Sequence, residues 1–201
     1  MLVEAAGKGV NVARSAAALG ADTAACGFVG GPDAPLFRKA LDDAGVASDF
    51  VAVACETRRN LTIMDAATGE DTHLIADPMY VTRKEVAAFL ERLGTFLRPG
   101  DAVVFTGSSP DGFEADDLVE AIRVSEGRGA FPCLDTSGDM LTSALSGAGP
   151  RLRLLKPNRE ELADLAGRPL RQLNDVIDAA RSLSGRCEEV LDLGSIEDKF
   201  R

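Results

Sequence analysis

The hydrophobic and polar positions of the chain follow two periods, one typical of helices and one typical of strands. An alanine-rich helix is predicted over residues 10–19 and is ended by Gly20, which suits a helix C-terminus. A buried strand is predicted at 23–28, and an amphipathic helix at 34–44. Further helices are predicted at 82–97, 115–124, 139–145, 159–166 and 174–184, and further strands at 101–105, 131–135, 152–155 and 189–193.

Strands that alternate with short helices indicate an α/β fold. We therefore predict a doubly wound, mostly parallel sheet that is flanked by helices. Such sheets bind ligands beyond the carboxyl ends of their strands. Polar turns at 106–112, 135–139 and 156–161 lie at three of these ends, which makes them candidate site elements. Within the second turn, Asp135 is also in position to cap the following helix.

Residues 49–76 differ from the rest of the chain. Short strand-like runs lie at 50–53, 60–64 and 72–75, and the polar connection 65–70 is typical of a hairpin turn. We predict a small antiparallel β insert, or lid, between α/β units. Its exposed face needs a cover, which a ligand, the main domain or a second subunit can provide.

The composition limits the functions that the chain can perform. It has 201 residues, 45% of them hydrophobic, and a net charge of −10 at pH 7, as expected for a globular domain with a sizeable core. The negative charge argues against a general nucleic-acid binder or a binder of anionic membranes, because both need a basic face. An anionic small substrate remains compatible where local basic side chains outweigh the global charge.

Cysteine and histidine usage favours a reduced, cytoplasmic environment. Four cysteines are far apart and lie among apolar residues: Cys26, Cys55, Cys133 and Cys187. No apolar run is long enough to cross a bilayer, and the first residues do not have the pattern of a secretory signal. The single histidine, His73, lies in a strand-like run, so we expect a structural role for it and no His-based catalytic or metal site.

The glycine loop Gly7-Lys8-Gly9 is the strongest local signal for binding chemistry. Both glycines can adopt positive φ and expose backbone N–H groups, and the helix after them directs its positive dipole end at the loop. Lys8 adds a point charge, so the loop is a candidate anion site. The residue after Lys8 is not the Ser or Thr of a P-loop, and Val12 replaces the third glycine of a dinucleotide fingerprint. A flexible loop with a solvated lysine is the alternative.

Three further segments offer polar groups with two interpretations each. Arg58 and Asn60 share one face of an extended segment and suit phosphate and hydroxyl recognition, or they are solvated edge residues. Ser108 follows a strand and supplies a hydroxyl, or it belongs to an ordinary turn. Asn158 and Glu161 have capping-box spacing, and Glu161 is also able to act on a Mg²⁺–phosphate group; these two roles are compatible.

Taken together, these segments resemble the PfkB family of carbohydrate kinases, which has the ribokinase-like fold. The glycine loop and the Thr-Arg-x-Asn element resemble the hexose-phosphate branch of that family, which includes 1-phosphofructokinase, tagatose-6-phosphate kinase and the minor 6-phosphofructokinase. The first of these is the most similar. The motifs occur in the family's order at 7–14, 57–60, 107–112, 135–138 and 156–161.

The resemblance implies a role for each matching residue. The residues on the sugar side are Gly7, Lys8 and Asn11 at the sugar, Arg58 at its phosphate, and Asn60 and Ser108 beside them. Lys156 and Asn158 are expected at the phosphates of ATP, and Glu161 at Mg²⁺. Fructose 1-phosphate is the expected substrate, and the lid is expected to pair with the lid of a second subunit in a homodimer.

Two departures from the family pattern concern the chemistry. The family's catalytic base is an aspartate in a Gly-Ala-Gly-Asp loop, whereas the near-match at 147–150 carries Pro150 and precedes the Lys-Pro-Asn strand. The usual Ser-Leu-Gly after the last strand reads Asp192-Leu193-Gly194, and the opening strand of the domain is not found. We therefore expect residues 1–201 to form an incomplete ribokinase-like domain without useful kinase activity, or an inactive fragment that at most binds sugar phosphate.

Overall fold

The computed structural model describes residues 4–146 and 150–191, and helices alternate with strands along this part of the chain. It divides into two compact units. The first comprises Val10–Phe89 and Ser109–Phe113 together with the described residues up to Ala6. The second comprises Gly7–Gly9, Leu90–Ser108 and the described residues from Glu114 onward.

The described helices and strands lie close to the predicted ones, within about three residues at most ends. The helices are α1 (Lys8–Ala18), α2 (Ala34–Asp42), α3 (Arg83–Phe96), α4 (Ala115–Gly127), α5 (Gly138–Leu145), α6 (Arg159–Ala166) and α7 (Leu173–Ser182), with a short 3-10 turn at Gly31–Asp33. The strands are β1 (Ala24–Gly30), β2 (Ala47–Val53), β3 (Leu61–Met64), β4 (Asp71–Leu74), β5 (Ala102–Thr106), β6 (Phe131–Asp135), β7 (Leu152–Leu155) and β8 (Cys187–Val190).

In the first unit, β1 pairs with β2 in parallel, with Ala24 opposite Ala47 and Gly30 opposite Val53. The prediction that residues 50–53 belong to an antiparallel insert is therefore wrong. A short apolar run predicts a buried strand but carries no information about its direction or partner. The core of this unit forms where α1 and α2 pack against the pair, around Val10, Ala13, Ala25, Leu41 and Val46.

Within the described residues, the antiparallel part of the fold is the hairpin of β3 and β4, in which Leu61 lies opposite Leu74. The hydroxyl of Thr62 lies 3.0 Å from Nδ1 of His73 on the facing strand. Nε2 of His73 lies 3.2 Å from a carboxylate oxygen of Asp71. Both contacts are exposed and connect residues of the hairpin.

The second unit contains a four-stranded parallel sheet in the order β5-β6-β7-β8. Because the strands are parallel, their carboxyl ends meet at one edge of the sheet. Helix α4 packs near β6, and its residues Leu118 and Ile122 are buried. Helices α6 and α7 pack on each other around Leu162 and Val176. The predicted α/β class, with parallel sheets flanked by helices, is confirmed.

The end of helix α1 follows the local chemistry of the sequence, whereas its start does not. Gly20 has a φ of 90°, and the N–H of Ala21 donates to the carbonyl of Ala16, as in a glycine-ended helix. Helix α1 begins at Lys8, two residues before the predicted start, because Gly9 adopts helical rather than left-handed backbone geometry. Only Gly7 of the two loop glycines has a positive φ, at 143°.

Two sequence predictions concern residues outside the described part of the chain. The near-match to the family's catalytic loop includes 147–149, and the segment that begins at Asp192 lies beyond Leu191, the last described residue. Strand β8 ends at Val190, earlier than predicted. None of the helices in residues 4–146 and 150–191 has the length and apolar character needed to cross a membrane.

Candidate phosphate-binding site

A cluster of polar side chains lies at the carboxyl edge of the four-stranded sheet. Thr106 ends β5 and Asp135 ends β6, and the two residues face each other in register. The Thr106 hydroxyl donates a hydrogen bond to Oδ2 of Asp135 across 3.1 Å. This bond fixes the carboxylate and leaves its other oxygen, Oδ1, for the two lysines described next. We call the group formed by Lys8, Thr106, Asp135 and Lys156 the strand-end cluster.

Lys156 is placed by the sheet. It follows β7, and its backbone N–H donates to the carbonyl of Leu134 across 2.9 Å, which sets it beside Asp135. Leu155 and Pro157, the residues on either side, are almost fully buried, so the backbone at this point is held by the core. The ammonium nitrogen of Lys156 lies 3.2 Å from Oδ1 of Asp135.

Lys8 reaches the same carboxylate from the glycine loop. Its ammonium nitrogen lies 3.7 Å from Oδ1 of Asp135. A Cβ atom added to Gly107 would lie 3.6 Å from Cβ of Lys8, so the turn after β5 passes close to the glycine loop. That distance is an ordinary van der Waals contact, so the requirement for glycine at position 107 comes from its φ of 95°.

The charges of the strand-end cluster favour an anionic ligand. One carboxylate faces two ammonium groups, so the cluster carries a net positive charge within a chain of net charge −10. Lys8 is the first residue of α1, where the helix dipole adds positive potential. The side chain of Asp135 is 17% exposed, whereas those of Lys8 and Lys156 are 63% and 35% exposed. The two ammonium groups are therefore accessible to a phosphate.

Asn158 and Glu161 form the predicted capping box at the start of α6. The side chain of Asn158 accepts from the N–H of Glu161 across 2.9 Å, and Oε2 of Glu161 accepts from the N–H of Asn158 across 2.8 Å. The side-chain amide of Asn158 remains as a donor. In nucleotide enzymes Mg²⁺ is commonly held by one or two carboxylates together with substrate phosphates, so a single carboxylate here is compatible with such an ion.

The remaining predicted site residues belong to other parts of the chain. Gly7 precedes Lys8 in the second unit, and Ser108 follows Gly107 there. Asn11 lies on the exposed side of α1. Arg58 is half-buried in a segment without regular secondary structure.

Asn60 ends that segment and accepts a hydrogen bond from the N–H of Ala76 across 3.3 Å, which links the two ends of the hairpin region. Like Asn11 and Arg58, it belongs to the first unit. Of the predicted site residues, Lys8 and Lys156 are therefore the two that contact the same side chain in the strand-end cluster.

Asp135 is a site residue for which the sequence leaves two interpretations open. From the sequence, Asp135 is both a candidate site residue at a strand end and a candidate cap of the next helix; Ser137 occupies the N-cap position of α5, and no side-chain capping bond forms there. That Asp135 and Lys156 are neighbours could be inferred from the sequence, because both lie in polar turns that are predicted at the same edge of the sheet. The position of Lys8 could not be inferred in this way, because no strand was predicted before the glycine loop.

No group of three or more His, Cys, Asp and Glu side chains suited to a metal ion occurs in the described part of the chain.

Comparison with known proteins identifies the family. Residues 1–191 match the family model described as pfkB family carbohydrate kinase. The chain is 33% identical over 184 residues to a 1-phosphofructokinase of Xanthomonas campestris pv. campestris, covering 91% of this chain and 58% of the relative. It is 35% identical over 182 residues to a 1-phosphofructokinase of Haloferax volcanii, covering 90% of this chain and 56% of that protein.

Solved structures agree with this result. The crystal structure of phosphofructokinase-2 from Escherichia coli in complex with fructose-6-phosphate has a TM-score of 0.87 and 30% identity, with 95% of this chain and 63% of that chain covered. The chain thus spans somewhat more than half the length of the curated relatives it matches. The chain belongs to the pfkB family of carbohydrate kinases, which are ATP-using transferases with a ribokinase-like α/β fold.

Proposed function

We propose that the chain supplies the binding groups of an ATP-dependent hexose-phosphate kinase similar to 1-phosphofructokinase. The observation that carries the proposal is the convergence of Lys8 and Lys156 on Asp135 at the carboxyl edge of the parallel sheet. One lysine belongs to the glycine loop and the other follows a strand, so each lysine can bind the phosphate of a different ligand. The names of the curated relatives support the same activity.

On the sugar side, Gly7, Lys8 and Asn11 are proposed to line the site. Arg58 is proposed to hold the phosphate already present on the sugar, because a guanidinium binds phosphate through paired N–H donors. Asn60 and Ser108 add an amide and a hydroxyl for sugar recognition. Fructose 1-phosphate is the proposed substrate, and fructose 6-phosphate and tagatose 6-phosphate are the alternatives.

On the nucleotide side, Lys156 and the side-chain amide of Asn158 are proposed to bind the phosphates of ATP. Glu161 is proposed to influence Mg²⁺ directly or through water. When bound, Mg²⁺ would neutralise charge on the phosphates. The capping box holds the Glu161 carboxylate at the start of α6, where backbone N–H groups also favour anions.

In the proposed reaction a sugar hydroxyl oxygen forms a bond to the γ-phosphorus of ATP, the bond to the bridging oxygen of ADP breaks, and the hydroxyl proton passes to a base. By resemblance, that base is the aspartate of a Gly-Ala-Gly-Asp loop, a sequence that does not occur in the 201 residues. By resemblance, the same loop also forms the anion hole for the transferred phosphoryl group. We therefore propose that the 201-residue chain binds its ligands but turns them over poorly, because phosphoryl transfer depends on positioning and on stabilisation of the transferred charge.

Calorimetry with the 201-residue chain tests the binding proposal. Fructose 1-phosphate is expected to bind at least about tenfold more tightly than fructose, because a charged hydrogen bond to phosphate contributes roughly 1.5–3 kcal/mol. Equal affinity for the two sugars would reject the assigned phosphate site. A coupled assay for ADP release tests turnover: hexose-phosphate-dependent release of ADP at an ordinary kinase rate would overturn the proposal of poor catalysis.

We also propose that a second copy of the chain covers the hairpin. Leu61, Ile63 and Leu74 share one face of β3 and β4, and between 43% and 52% of each residue is exposed. A patch of this kind on a two-stranded sheet favours association. Sedimentation velocity is expected to show dimers for the wild type and monomers for Ile63→Lys. Met64→Lys is the matched control, because Met64 lies on the opposite face; a monomeric wild type would reject this interface.

A further inference from the structure

The segment of residues 56–60 contains Arg58 but has no helix or strand of its own. An arginine that is to bind a phosphate bidentately must present its guanidinium in one orientation. Without backbone ladder bonds, that orientation depends on contacts from neighbouring elements. We call residues 56–60 the arginine segment.

Asp33 makes these contacts. Its Oδ2 accepts a hydrogen bond from the backbone N–H of Thr57 across 3.1 Å. Its Oδ1 accepts one from the guanidinium of Arg59 across 2.9 Å. A single carboxylate therefore holds the residue before Arg58 and the residue after it.

The end of β1 adds a second attachment. The N–H of Gly30 donates to the hydroxyl of Thr57 across 2.9 Å. A Cβ atom added to Gly30 would lie 2.4 Å from the backbone nitrogen of Thr57 and 2.6 Å from the carbonyl oxygen of Cys55. The absence of a side chain at Gly30 thus lets the arginine segment lie directly against the turn that carries Asp33.

The carboxylate of Asp33 is the fixed member of its ion pair. Its side chain is 11% exposed, whereas that of Arg59 is 66% exposed. Asp33 occupies the N-cap position of α2, yet its side chain makes no capping bond and is directed to the arginine segment instead. Hydrogen bonds from Arg59 and Thr57 hold the pKa of Asp33 below its usual value, despite the burial that opposes ionisation.

We propose that Asp33 is a positioning residue: it orders the arginine segment and thereby presents Arg58 to the phosphate of the sugar substrate. This inference rests on the proposed sugar-phosphate binding by Arg58. It assigns a role to the short 3-10 turn at Gly31–Asp33. Asp33 does not itself need to touch the ligand.

A double-mutant cycle measured by calorimetry tests the inference. Asp33→Ala is expected to weaken the binding of fructose 1-phosphate about tenfold, because it costs Arg58 its fixed orientation. The affinity for ATP is expected to stay the same. Asp33→Asn retains an acceptor for Thr57 and is expected to lie between the wild type and Asp33→Ala.

In the Arg58→Ala background, Asp33→Ala is expected to add no further loss, because the residue through which it acts is gone. A full additional tenfold loss in that background would overturn the inference. Asp43→Ala is the matched control: it also removes an aspartate paired with a cation, Lys39, at an exposed position of the same unit. It is expected to bind fructose 1-phosphate like the wild type.

Amide hydrogen exchange tests the ordering without a ligand. Asp33→Ala is expected to raise exchange across residues 56–60 and to leave the four-stranded sheet protected. Unchanged exchange in the arginine segment would overturn the inference. If the wild type does not bind fructose 1-phosphate, the proposed function fails separately, and the exchange result alone decides whether Asp33 orders this segment.

Discussion

The ammonium group of Lys156 lies 3.2 Å from Oδ1 of Asp135, and the same oxygen lies 3.7 Å from the ammonium group of Lys8. One carboxylate oxygen thus forms ion pairs with two lysines that are distant in the sequence. Because two ammonium groups share one negative charge, each is incompletely neutralised. The arrangement keeps both lysines near one point and leaves them able to bind phosphate.

The first prediction separates the two lysines by ligand. Lys8→Ala is expected to weaken the binding of fructose 1-phosphate by about 10- to 100-fold and to leave ATP affinity nearly unchanged, and Lys156→Ala is expected to do the reverse. The reason is that each loses one charged hydrogen bond to one phosphate, roughly 1.5–3 kcal/mol. Calorimetry with each ligand measures both effects.

The control for these variants is Lys39→Ala, which also removes a lysine from an ion pair, with Asp43, at 2.6 Å. It is expected to leave both affinities unchanged. If Lys8→Ala has no effect on fructose 1-phosphate, the glycine loop has no role in sugar-phosphate binding.

The second prediction concerns Asp135→Asn. The amide oxygen can still accept from Thr106, but the two lysines lose their counter-charge. We expect the affinity for inorganic pyrophosphate in metal-free buffer to rise about fivefold at low ionic strength, because the competing carboxylate is gone. The gain is expected to shrink as salt is added, since these side chains are partly exposed. Unchanged or weaker pyrophosphate binding would contradict the view that Asp135 competes with anions for these lysines.

Local structure was predictable from the sequence where the residues that determine it lie within one short segment. The capping box of Asn158 and Glu161 needs only two side chains three residues apart, and it forms as predicted. The glycine that ends α1 likewise acts through its own φ. Contacts between distant segments were harder to predict. Strands β1 and β2 pair in parallel although α2 separates them in the sequence, and a run of four apolar residues does not specify which strand it pairs with.

The candidate site shows the same division between local and distant information. Lys8 and Lys156 were identified individually from glycine-loop and strand-end chemistry. Their common partner, Asp135, has two interpretations from the sequence, because an acid shortly before a helix can also cap that helix. The carboxylate of Asp33 was overlooked for a related reason: its donors, Thr57 and Arg59, are more than twenty residues away in the sequence.

The third prediction separates two roles in the capping box of α6. Asn158→Ala removes the acceptor for the N–H of Glu161 and is expected to lower the free energy of unfolding by about 1 kcal/mol. Glu161→Gln keeps a side chain that can complete a capping box, so its Tm is expected to remain close to that of the wild type. The same substitution removes the charge and is expected to weaken the Mg²⁺ dependence of ATP binding.

Thermal unfolding and ATP titrations with and without Mg²⁺ measure these effects. A Glu161→Gln chain whose ATP binding responds to Mg²⁺ like the wild type would remove Glu161 from the metal site and leave its role purely structural.

The fourth prediction concerns acid stability. The pKa of Asp33 is held below its usual value, first by the hydrogen bond from Arg59 and then by those from Thr57, against the opposing effect of burial. A lowered pKa means that the folded state binds this proton less readily than the unfolded chain does. The stabilisation is therefore complete above the ordinary aspartate pKa of about 3.9 and is lost as the pH falls toward the folded value.

The wild type is accordingly expected to exceed Asp33→Asn in unfolding free energy by a constant amount above about pH 5, and the difference is expected to shrink below about pH 4. Urea unfolding at a series of pH values measures the difference, which corresponds to about 1.4 kcal/mol for each unit by which the pKa is lowered. In an Arg59→Gln background the main cause of the lowered pKa is absent, so the pH-dependent part of the difference is expected to diminish. A difference that is the same at pH 3 and pH 6 would show that the Asp33 carboxylate gains nothing from its partners in the folded chain.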